Sequence, residues 1–175
     1  MKEVFRKMVS KRLVIYLLAS GILMAGGSMA KAKDTLSPKE AVALAKKAMA
    51  VLESKGKAGI EDLKGSDYVF GLVYPVVCDF QGQVIYHPIR PQLQGKANLV
   101  GMKDKNGKLF VSEILNVARE EGSGWVDYVW PKPGEKKMST KVSYVLRGKM
   151  DEEDIFIMVG LYDFTKEECE KMAGK

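Results

Sequence analysis

Hydrophobic positions in this chain recur first at helical and then at strand spacing, with short polar punctuation between the runs. In LSPKEAVALAKKAMAVLESKG, residues 36–56, an apolar stripe of Val42, Leu44, Ala45, Ala48, Met49 and Leu52 predicts a helix lying on a core. Ser37 stands at the N-cap, Pro38 at the first helical position and Glu40 completes an S-x-x-E capping box, and Gly56 ends the element. DYVFGLVYPVVCD (67–79) and VIYH (84–87) are rich in β-branched and aromatic residues. With FQGQ between them they predict a β-hairpin in which Pro75 marks an edge position or a bulge. A long loop from Pro88 to Lys108 follows. LFVSEILNVAREEG then returns to helical spacing and stops at Gly122. GWVDYVW, MSTKVSYVLR and DIFIMVGLYDF read as three more strands, joined by PKPGEKK and GKMDEE, before a short charged helix, TKEECEKMAGK.

The order is helix, two strands, helix, three strands, helix. Links this short favour antiparallel neighbours, since a parallel pair needs a crossover. The expected class is therefore α+β, with helices segregated around a five-stranded antiparallel sheet and a long N-terminal helix packed on it. A doubly wound nucleotide-binding fold is excluded.

The first thirty residues read differently. Lys2, Arg6, Lys7, Lys11 and Arg12 stand against one acid, Glu3, and an uncharged apolar run ends in small residues. That is the anatomy of a secretory signal peptide, with cleavage expected after Ala30 or Ala32; the alternative is an uncleaved N-terminal anchor. The charge picture changes accordingly. The chain carries +6, and loss of five bases and one acid leaves +2, with Lys and Glu interspersed, so no nucleic-acid footprint is expected. Residues 34–175 are expected to form a single exported domain, periplasmic or secreted. Export would permit a disulfide between Cys78 and Cys169, although Cys78 in an apolar strand also reads as a small buried hydrophobe.

Most enzyme classes lack their parts. A single histidine, His87, rules out H-E-x-x-H and His-cluster metal sites, and no phosphate loop or nucleophile elbow is present. A Cys78–His87 pair is the nearest approach to nucleophilic chemistry, without a third orienting group. DKNG, residues 104–107, lacks calcium-loop spacing and reads as a turn. The strand ends and linkers instead collect Tyr74, Tyr86, His87, Arg90, Tyr128, Trp130, Lys141 and Tyr144. That set is rich in donors and poor in carboxylates, and so is suited to a small anion; no cofactor is called for. Strand parity matters here. Tyr128 and Trp130 share a face, whereas Lys141 and Tyr144 can share one only if a bulge intervenes or Lys141 precedes the regular strand.

The runs DFQGQVIYHP (79–88), LQGKANL (93–99), KDKNGK (103–108), GSGWVDYVWPKP (122–133), KVSYV (141–145) and VGLY (159–162) together resemble the single-Cache family, second type, of bacterial extracytoplasmic sensors. The resemblance implies a PAS-like fold that binds small organic acids, such as acetate, propionate or pyruvate, without catalysis. It also implies a pocket at His87, Tyr128, Trp130, Lys141 and Tyr144, with Tyr74 and Arg90 as additions, and a lid formed by the loop after His87. Members usually sit between membrane spans of a chemoreceptor or kinase. This chain is expected to be a stand-alone version whose signal passes through a membrane-bound partner. The alternative is a structural or protein-interaction module with a degenerate pocket.

Overall fold

A computed structural model describes residues 35–95 and 99–174. The proposed export segment and its cleavage positions lie outside them. The elements are α1 (Pro38–Lys55), a short α2 (Gly59–Asp62), β1 (Pro75–Asp79), β2 (Val84–Tyr86), α3 (Phe110–Asn116), β3 (Ser123–Pro131), β4 (Met138–Met150), β5 (Glu153–Tyr162) and α4 (Lys166–Ala173). Among the described residues, no helix is long and apolar enough to cross a membrane.

Local chemistry accounts for the ends. The Ser37 side chain accepts from the Glu40 backbone N–H, and the Glu40 carboxylate accepts from Ser37 N at 2.8 Å. Thr165 and Glu168 build the same box at the start of α4. The α3 helix widens into a π-type turn over Val117–Glu121 and stops at Gly122, where the sequence places its end.

The five strands form one antiparallel sheet in the order β2-β1-β5-β4-β3. The first arm of the hairpin is shorter than the sequence suggests. Residues 67–74 are largely turn, because Phe70 and Val73 exchange backbone hydrogen bonds at 2.8 and 2.9 Å, and pairing to β5 starts only at Pro75 opposite Val159. Proline at the first residue of a strand interrupts no ladder bond it would otherwise have to make.

Two apolar layers flank the sheet. On one face α1 buries Leu44, Met49 and Leu52 against Trp125, Val142, Tyr144, Ile155 and Ile157. On the other, α3 and the loop before it cover Val76, Cys78, Val126, Tyr128, Val145 and Phe156. Each large side chain buried this way is worth about 1.5–3 kcal/mol. The cysteines fall on opposite sides: Cys169 belongs to the α1 layer and Cys78 to the other. Both are free thiols, so the disulfide anticipated as one possibility does not form, because the sheet lies between them.

Met49 of α1 packs tightly over Gly148 in β4. A Cβ there would lie against the Met49 sulfur, 2.7 Å from its Cγ and 2.8 Å from its Cε. Gly148→Val is expected to destabilise the domain by about 1–3 kcal/mol through overpacking. Met49→Ala in the same chain should relieve part of that loss, read as non-additivity in urea unfolding.

Candidate functional site

β4 runs as a regular strand, paired to β3 from Met138 to Leu146 and to β5 from Lys141 to Met150. Its side chains therefore alternate strictly between the two faces. Lys141, opposite Tyr128 on β3 and Tyr162 on β5, projects away from α1. On that side the sheet, residues 87–93 and 99–102 of the following loop, and the start of α3 line a cavity of about 260 Å³.

Six of the residues singled out from sequence line it: Tyr74, His87, Arg90, Tyr128, Trp130 and Lys141. Tyr144 does not. With no bulge between them, Lys141 and Tyr144 face opposite ways, and Tyr144 packs on Trp125 beneath α1 with ring centroids 5.1 Å apart. Tyr86 is likewise in the α1 layer, where its hydroxyl donates to the Leu63 carbonyl at 3.0 Å.

The Lys141 ammonium sits 4.9 Å from the centroid of the Tyr162 ring and 5.9 Å from that of Tyr128. Aromatic faces attract a cation without neutralising it. Burial, reinforced by the nearby Arg90 charge, pulls the Lys141 pKa down to about 8, so the group is still charged at neutral pH. Among the described residues, neither Lys141 nor Arg90 has a carboxylate partner. His87 feels the same field. Burial, then Lys141 and Arg90, push its pKa down to about 4. Its Nδ1 accepts from the Arg90 backbone N–H at 3.2 Å, so the neutral ring keeps its proton on Nε2 as a donor.

The tyrosines divide by role. Tyr128 shares a hydrogen bond with Ser143 at 2.9 Å, and Tyr162 donates to the Pro131 carbonyl at 3.1 Å. Tyr74, which packs on His87 at 5.4 Å and whose hydroxyl burial pushes up to about 12, keeps an O–H available as a donor. Cys78 also lines the cavity, and burial raises its thiol far above the usual range, which suppresses the thiolate that nucleophilic chemistry needs.

Three contributors were not legible as site residues. Tyr162 enters through its register with Lys141. Phe110 stacks on Tyr128 at 4.3 Å and 14° and fixes that wall. Gly160 leaves room for the lysine: a Cβ there would collide with Lys141 Cε and lie 3.2 Å from Nζ. The VGLY run held both Gly160 and Tyr162, but only the strand pairing shows what they serve.

The loop is tied down at DKNG. Asp104 Oδ1 accepts from Asn106 N and Lys108 N at 2.8 and 2.9 Å, and Oδ2 accepts from Val129 N at 3.0 Å. Burial tends to raise this carboxyl, but those three N–H donors and the Lys108 charge outweigh it and hold it below its ordinary value. Lys108 bonds the Asp127 carbonyl at 2.7 Å and its carboxylate at 3.0 Å. Asp104→Ala is expected to cost about 2–3 kcal/mol. Hydrogen exchange should show the loss of protection concentrated in residues 99–109 and β3, with the α1 layer little changed.

A family model described as a Cache domain matches residues 25–165. The methyl-accepting chemotaxis protein McpP of Pseudomonas putida is 34% identical over 67 residues, 38% of this chain; that match spans only 12% of the curated relative. A periplasmic sensor domain of a chemotaxis protein aligns with a TM-score of 0.61 at 31% identity, covering 71% of this chain and 94% of that one. A Cache chemosensory domain described by its carboxylic acid recognition gives the same TM-score, 0.61, at 24% identity, over 71% and 92% of the two chains.

Proposed function

Because this chain belongs to the Cache domain family, whose members among its neighbours are sensor domains of chemotaxis proteins, we propose that its cavity binds a small organic acid through the carboxylate, without chemical change. The observation that carries this reading is the pair of cations, Lys141 and Arg90, facing one cavity with no carboxylate partner among the described residues. A buried charge is costly unless paired, and a ligand carboxylate supplies the missing partner. Tyr74 O–H and His87 Nε2–H add neutral donors to the same anion, while Tyr128, Tyr162 and Trp130 form its walls. A structural neighbour is described by the same ligand class, and acetate, propionate and pyruvate are the natural first probes.

Binding rather than turnover is favoured by the state of the two groups that resemble a catalytic pair. Cys78 stays a thiol and His87 a weak base, so neither activates the other. In this reading the domain is exported, and the ligand signal reaches the cell through a membrane-bound partner.

Calorimetric titration tests the reading directly. Lys141→Met, which keeps the stem and removes the charge, is expected to weaken acid binding by thirtyfold or more, about 2 kcal/mol or above. The pH dependence has a defined sign. The free-site lysine loses its proton as pH rises through about 8, and a bound carboxylate favours the charged form. Affinity should therefore fall as pH rises above 8, with proton uptake on binding at pH 8–9 detectable from the buffer dependence of the heat. Unchanged affinity in Lys141→Met would refute the site.

A further inference from the structure

The cavity is longer than a two- or three-carbon acid can fill, and its far end differs in chemistry from the end that holds the cations. Along the cavity face of β5, Tyr162 and Gly160 are followed by Met158 and Phe156, and β1 sets Val76 beside Met158 and Cys78 beside Phe156. From Gly160, under the Lys141 stem, to Phe156 is four residues of strand, roughly 13 Å at 3.3 Å per residue. Lys141 pairs across the ladder with Tyr162, and His87, which takes the Arg90 N–H at 3.2 Å, packs on Tyr74, one residue before the Pro75–Val159 pair, so these groups belong to the Gly160–Tyr162 end. The residues that β5 and β1 contribute to the Phe156 end, Met158, Val76, Phe156 and Cys78, carry only the Cys78 thiol as a polar side-chain group.

Volume agrees with length. An apolar cavity of about 150 Å³ accommodates benzene, six heavy atoms, so 260 Å³ has room for about ten. Acetate supplies four and would leave the Met158–Phe156 end unfilled. Resting on the carboxylate reading above, we infer that the site is shaped for a monocarboxylate with an apolar tail of about four to eight carbons, aliphatic or aromatic, its carboxylate at Lys141 and Arg90 and its tail along Met158, Val76 and Phe156. A second carboxylate at the far end would meet no charged donor there, only the weak Cys78 S–H, and would lose its hydration largely without compensation.

Titrations of the purified protein with acetate, butyrate, hexanoate, benzoate and adipate test this. Affinity should tighten about threefold to fourfold per added methylene from acetate to hexanoate, as each buries against the far wall. Benzoate should bind more tightly than butyrate, and adipate at least tenfold more weakly than hexanoate. Cys78→Met, or Val76→Met if that variant does not fold, should weaken hexanoate at least tenfold and leave acetate nearly unchanged. Equal affinity for acetate and hexanoate would overturn the tail inference and leave the carboxylate site standing. Hexanoate binding that survives Lys141→Met would overturn it too, by making the contact a non-specific apolar one. No binding by any of the five acids would overturn both.

Discussion

The regularity of β4 is the constraint on which the rest of this structure depends. It lies between β3 and β5 and pairs without a bulge along both ladders, so every second side chain is assigned to one of two unlike environments. Val142 and Tyr144 go under α1, and Lys141 and Ser143 go to the cavity side. A single inserted residue would exchange those sets, placing an ammonium beneath a helix of alanines and leucines and opening the cavity. The two apolar layers are therefore more than structural support: their continuity keeps the register that turns Lys141 into the cavity that Arg90 also lines.

This also explains why the cavity is electrostatically unbalanced. The aromatic rings around Lys141 tolerate its charge and let it stay half-buried, while their hydroxyls are directed elsewhere, to Ser143 and the Pro131 carbonyl. Gly160 supplies the space beneath its stem. Aromatic neighbours thus hold a cation in place without neutralising it.

Much of this was visible in the sequence. The capping box and apolar stripe of α1, the five strands and the shared parity of Tyr128 and Trp130 are local signals, fixed by short-range geometry. Tyr144 shows where such reading stops. Its place beside Lys141 in KVSYV made it a pocket residue by resemblance, although period-two alternation already opposed that assignment, and the unbroken ladder decides it. Tyr162, Phe110 and Gly160 become site residues only through pairings between distant segments. The missing disulfide has the same origin, since two thiols can be compatible in compartment and still be separated by a sheet.

Asp104 and Lys108 have one more effect. β3 is the outer strand of the sheet on its side, and an outer strand normally offers a row of unpaired backbone groups. Here the loop's carboxylate takes the Val129 N–H and its ammonium takes the Asp127 carbonyl. The segment that covers the cavity therefore also terminates the sheet, closing this stretch of the margin to a strand from another molecule. The contacts that hold this loop against the sheet thus also shield the domain from edge-to-edge self-association.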